Sequence, residues 1–164
     1  MFYAPFYELF PELARRETRS VTIKNDPSLP DGEYGLLEAY CNEPGCDCRR
    51  VMFNIFTPDR PEALAVVAYG WESKSFYADW FGRYDPDIIQ QMQGPILNPD
   101  SPQSELAPAL VQLVDYVLKD EAYVARLKHH YRLFKQKVNE QAGYPSRHRL
   151  RRSKPKAKKR KRRK

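Results

Sequence analysis

Apolar residues recur along this chain in two periods, and the switch between them marks the elements. In residues 5–16, Phe6, Leu9, Phe10 and Leu13 fall three or four apart, the spacing of one helix face, with Pro11 as a point of break or late start. Residues 18–23 are β-branched and predict a strand with Arg19 facing opposite to Val21 and Ile23. Residues 25–32 hold Pro27, Pro30 and Gly32 and read as a loop. Three more strands follow at 33–41, 49–57 and 63–69. In the second of these Val51, Phe53 and Ile55 alternate with Met52, Asn54 and Phe56, and the third is nearly all apolar, as suits a strand covered on both faces. Only a short link with Pro44-Gly45 at its centre joins the first two of these three, so a hairpin with a type II turn is expected, the glycine taking φ > 0.

Beyond the strands the pattern turns aromatic, with Tyr69, Trp71, Phe76, Tyr77, Trp80, Phe81 and Tyr84. Ser73 or Ser75 is placed to cap a helix over 75–81, and residues 85–100, with Pro86, Gly94, Pro95 and Pro99, read mostly as loop. Two helices close the pattern. Leu106, Leu110, Leu113, Val114, Val117 and Leu118 form one stripe, with Pro108 in its first turn; Tyr123, Leu127, Tyr131, Phe134 and Val138 form the next, capped by Asp120 and ended by Gly143 and Pro145. The short link makes them an αα-hairpin. The expected fold is therefore α+β: an antiparallel meander of about four strands with an N-terminal helix and a C-terminal helical hairpin. No internal repeat is visible.

Charge divides the 164 residues at one place. Thirteen of the 28 Lys and Arg lie in residues 147–164 with no acid among them, which leaves 15 basic residues against all 21 acids in residues 1–146. The net charge of +7 is thus a body of −6 and a tail of +13. The expectation is a single domain over 1–146 and a disordered tail over 147–164. Collagen-like, membrane-spanning and wholly disordered classes do not fit the composition. Residues 1–10 are aromatic and apolar but lack a basic leader, a clean apolar run and a small-residue cleavage site, so a soluble cytoplasmic protein is expected.

The tail carries the first candidate chemistry. Arg151, Arg152, Lys154, Lys156, Lys158, Lys159, Arg160, Lys161, Arg162, Arg163 and Lys164 are phosphate contacts that bind by counterion release without sequence preference. Nucleic acid, RNA before DNA, is the expected partner. An anionic membrane is disfavoured because no aromatic or acyl anchor joins the charge. Residues 156–164 also satisfy a nuclear-localisation pattern, and the bland alternative is a tail that only aids solubility.

The second candidate is Cys41, Cys46 and Cys48, spaced Cys-x4-Cys-x-Cys around the expected turn. Soft thiolates select zinc or iron–sulfur, but four-cysteine ferredoxin spacings do not match and only three sulfurs exist in the chain. A fourth zinc ligand would come from Asp47, His129, His130, water or another chain. Arg49 and Arg50 are placed to balance the thiolate charge. The alternatives are inert or redox-labile thiols, or a nucleophile, for which no base is evident from sequence. His129-His130 lies mid-helix, where neighbours point about 100° apart; one boundary and one solvated histidine are expected, and His148 is read as solvated. Trp71 and Trp80 are read as core rather than as stacking platforms. Glycine-rich nucleotide loops, nucleophile elbows and His-Glu-x-x-His are absent from the sequence.

The segments Phe6-Tyr7-Glu8-Leu9-Phe10-Pro11-Glu12-Leu13-Ala14, Glu17-Thr18-Arg19, Glu38-Ala39-Tyr40-Cys41, Gly45-Cys46-Asp47-Cys48-Arg49-Arg50-Val51, Tyr69-Gly70-Trp71-Glu72-Ser73 and Leu127-Lys128-His129-His130-Tyr131 carry a resemblance. The chain resembles a family of uncharacterised prokaryotic proteins, some of which have a C-terminal SEC-C zinc motif. The resemblance implies a cytoplasmic protein with no assigned activity. The motif itself, a Cys-x-Cys-Gly-Ser-Gly segment, has no counterpart here, since no cysteine follows Cys48. Three functions stand side by side: a non-enzymatic binding protein with a zinc-stapled hairpin tethered to nucleic acid, its body selecting a protein or RNA partner; an enzyme using a thiolate or open metal at the cysteines; or a small interaction module with a solubilising tail.

Overall fold

The computed structural model describes residues 2–144. Its fold is α+β, with one antiparallel sheet. The strands are β1 (Tyr3–Pro5), β2 (Arg19–Ile23), β3 (Gly32–Cys41), β4 (Arg50–Phe56), β5 (Ala65–Gly70) and β6 (Ile96–Leu97); the helices are α1 (Phe6–Leu9), α2 (Pro11–Glu17), α3 (Lys74–Phe81), α4 (Pro86–Gln93), α5 (Ala107–Val117) and α6 (Glu121–Gln141). The four expected strands are β2 to β5. Two short strands extend them, β6 beside β5 and β1 beside β3. β1 and β2 both pair with β3, β1 at residues 39–41 and β2 at residues 32–36, so the N-terminal segment leaves the sheet, forms the two short helices α1 and α2 and returns to the same strand.

Phe10 separates those two helices, and Pro11 starts the second, where a missing N–H costs nothing. The expected break therefore falls one residue before the proline. Residues 85–100 differ from the loop reading. Asp85 Oδ1 accepts from the Ile88 N–H and Pro86 opens α4, whose Ile89 and Met92 are buried with Tyr77 of α3. Pro86, Gly94 and Pro95, which suggested a loop, stand at the ends of this helix rather than inside it, and Pro99 follows β6. Ser73 caps α3, and Asp120 caps α6 through the Ala122 and Tyr123 N–H groups, as their sequences indicate.

The core lies between one sheet face and the α5–α6 hairpin. Leu36, Tyr40, Val51, Phe53, Ile55 and Val67 meet Leu110, Val114, Leu127, Phe134 and Val138 there. Burying a side chain such as Leu127 or Phe134, both without exposed surface, stabilises by roughly 1.5–3 kcal/mol. The opposite face carries a smaller cluster of Ala39, Met52, Val66 and Ala68. No helix among the described residues is long and apolar enough to cross a membrane. The eleven basic residues named for nucleic-acid contact, and the proposed domain boundary at 146/147, lie outside the described residues.

Candidate metal centre

Strand β3 ends at Cys41 and β4 begins at Arg50, so the three cysteines occupy one strand end and the loop that follows. The loop folds back at Pro44-Gly45. Gly45 has φ 75°, and the Cys46 N–H donates to the Glu43 carbonyl at 3.3 Å, as the expected type II turn requires. Arg49 also takes a positive φ, 50°, which is uncommon for a residue with a Cβ. Its backbone is held on both sides: its N–H donates to the Tyr131 hydroxyl at 3.2 Å, and its carbonyl accepts from Tyr77 at 3.0 Å. Helix α6 grips the tip at two further points. The Gly45 N–H donates to Asn139 Oδ1 at 2.8 Å, and Lys135 Nζ donates to the carbonyls of Cys41 and Glu43 at 3.0 and 2.6 Å.

This scaffold brings the three sulfurs together within 4.8 Å of one another. A tetrahedral ion with Zn–S bonds of ~2.3 Å needs its sulfurs ~3.8 Å apart, a separation inside that limit. Cys41 and Cys48 are fully buried and Cys46 is half-buried. A hydrogen bond from Cys48 outweighs burial and, with Lys135, lowers Cys41 to about 6. Cys48 is pushed up by that same bond, by burial and by the negative charge of Cys41; burial and Cys41 also raise Cys46. Three converging soft donors, one of them already favouring the thiolate, suit a thiophilic cation. They suit a nucleophile poorly, because Cys41 has no exposed surface for a substrate to approach.

Several expected partners lie elsewhere. Both ring nitrogens of His130 are committed, Nδ1 to Glu38 at 2.7 Å and Nε2 to Glu17 at 2.9 Å, and His129 is exposed. Neither histidine joins the sulfurs, and Asp47 is engaged by the Arg49 guanidinium at 2.9 and 3.1 Å. The group that converges among the described residues is the three cysteines. The arginines are also spoken for: Arg49 binds Asp47 and Glu72 and lies over the Phe76 ring, while Arg50 donates to the carbonyls of Met92 and Gln91. The cation that faces Cys41 and Cys46 is instead Lys135. Trp71 packs edge-on against Tyr131, whereas Trp80 is over a third exposed, so only the first meets the core expectation.

Two residues at the site escaped the sequence reading. Lys135 follows Tyr131 by four and precedes Val138 by three, so it interrupts an apolar stripe, and that was its signal. Tyr3 reaches the site by pairing opposite Cys41, a register no local pattern encodes. Comparison of the chain with family models, with curated proteins and with solved structures finds no match.

Proposed function

We propose that this protein is a non-enzymatic binding protein whose hairpin tip holds a zinc ion through Cys41, Cys46 and Cys48, and whose basic tail tethers it to nucleic acid, RNA foremost. The observation that carries the metal part is the convergence of three sulfurs within 4.8 Å on a loop already braced by α6. Burial of Cys41 and Cys48 supports a structural or regulatory ion over an open catalytic one. The nucleic-acid part rests on the thirteen basic residues without an acid in 147–164. The acidic body then supplies whatever selectivity the protein has, toward a protein or a structured RNA. A reducing compartment keeps the thiols available to the ion.

Two measurements test the reading. Protein purified without chelator is expected to carry close to one zinc per chain, and less than ~0.2 overturns the metal part, since structural zinc is held tightly. Binding of a single-stranded RNA by the full chain is expected to fall steeply with salt, and a chain ending at 146 is expected to lose it. A shortened chain that binds RNA as well as the full one overturns the tail.

A further inference from the structure

Among the described residues, the tip contains a buried hydroxyl without a hydrogen-bond acceptor and a buried cation that meets carbonyls but no carboxylate. The Tyr3 hydroxyl is buried, finds no well-directed hydrogen-bond partner, and interacts with the Cys48 sulfur beside it. It is brought there by main-chain pairing, Tyr3 opposite Cys41 and the Asn42 N–H donating to the Phe2 carbonyl at 3.0 Å. A buried hydroxyl left without an acceptor is destabilising. A neutral thiol is a weak acceptor, whereas an anionic one supports a strong charge-assisted bond.

Lys135 is 7% exposed, and its ammonium meets two main-chain carbonyls and faces the sulfurs of Cys41 and Cys46. A buried charge needs a countercharge. The nearby arginines do not compete for this role, because Arg49 is held by Asp47 and Glu72 and Arg50 by carbonyls. Charge then selects the ion. Three thiolates around a divalent cation leave one negative charge, which Lys135 cancels; a monovalent ion leaves a buried excess of negative charge, and a trivalent one an excess of positive charge.

We propose that Tyr3 and Lys135 are the outer shell of this centre, the phenol donating to the Cys48 thiolate and the ammonium neutralising the cluster, so that it takes a divalent thiophilic cation and is complete only with β1 seated. The inference rests on the metal reading of the three cysteines. Loading the ion thereby fixes a three-residue strand to the edge of β3.

The test titrates the full chain, and its Tyr3→Phe and Lys135→Met variants, with Zn²⁺ against a chromophoric chelator. The same proteins are titrated with Co²⁺ while the sulfur-to-cobalt charge-transfer absorption is recorded. Tyr3→Phe removes one oxygen and keeps the ring, so the fold is retained and circular dichroism checks it. Each variant is expected to bind Zn²⁺ 10–100-fold more weakly than the unaltered chain, the usual cost of losing an outer-shell partner, and Tyr3→Phe is expected to shift the charge-transfer band. An unaltered chain that binds Zn²⁺ with variants inside twofold of it overturns this inference alone. An unaltered chain that binds no Zn²⁺ overturns the metal reading and this inference together.

Discussion

His130 and Lys135 lie five residues apart on α6, both nearly without exposed surface, yet their surroundings differ in kind. Around His130 the charges close on themselves. Glu38 and Glu17 take its two nitrogens, Tyr40 donates to the same Glu38 oxygen at 2.7 Å, and the Phe6 ring stacks on the imidazole at 4.4 Å. The remaining Glu38 oxygen is buried and makes no hydrogen bond, and the void by Glu38 and His130, about 10 Å³, is no larger than one water needs. Opposite charges held this way tie α2, β3 and α6 together. Around Lys135 no such closure is found among the described residues: its ammonium meets two carbonyl oxygens and faces the thiols of Cys41 and Cys46. The comparison teaches that burial alone does not mark a site. The His130 cluster supplies its own countercharge and acts as a clamp, while the cysteine cluster presents three converging thiols placed to hold a metal ion.

Substitutions sharpen that contrast. The largest effect falls on metal affinity: Cys48→Ser is expected to weaken Zn²⁺ binding by more than about 100-fold, because a ligand rather than an outer-shell partner is lost. Chelator competition checks it, and unchanged affinity removes Cys48 from the site. Next, Glu38→Ala removes the buried carboxylate that His130 and the Tyr40 hydroxyl share, leaving them only Glu17 and the Leu127 carbonyl. Breaking a buried pair of this kind costs about 3–5 kcal/mol, to be read by urea unfolding, while zinc content stays the same. A variant of normal stability, or one that loses its metal, breaks the division between the two clusters.

The clamp also predicts a pH profile. Burial works against protonation of His130, but the hydrogen bonds and charges of Glu38 and Glu17 prevail and raise its pKa above the ordinary 6.5. The His130 hydrogen bond, helped by its charge, lowers the Glu17 carboxyl below the ordinary 4.5. A raised histidine contributes stability that is complete below 6.5 and lost as pH rises through its folded pKa. A lowered carboxyl contributes stability that is complete above 4.5 and lost as pH falls through its folded pKa. The stability of the unaltered chain over a His130→Gln variant is therefore expected to plateau between pH 4.5 and 6.5 and fall on both sides. Melting temperatures across pH 3–9 measure it, and a difference still growing above pH 8 contradicts the clamp. The smallest effect belongs to Arg49→Ala. Its carboxylate partners and its own side chain are about a third exposed, so losing the fork costs about 1 kcal/mol, with a modest loss of zinc affinity from a loosened tip.

The periodic elements were legible because their signals are local. The Leu110–Val117 and Tyr123–Val138 stripes gave the hairpin, the alternation in β4 gave its two faces, and Pro44-Gly45 gave the turn. The cysteine spacing likewise placed three thiols on one tip. Helix α4 was hidden because its flanking prolines and Gly94 outweighed a short Ile89/Met92 pattern. The rest was hidden by distance along the chain. Glu17 meets His130 across 113 residues and Lys135 reaches Cys41 across 94, so neither pairing leaves a local trace. The arginines adjacent to Cys48 suggested a countercharge by proximity in sequence, but β4 directs Arg50 to α4, and Arg49 turns to Asp47 and Glu72.

Sulfur X-ray ligation bears most directly on the central claim. Absorption fine structure at the metal edge of the full chain, purified without chelator, is expected to show a zinc shell dominated by three sulfurs at ~2.3 Å. A shell of nitrogen and oxygen alone, or a protein that carries no metal, contradicts it.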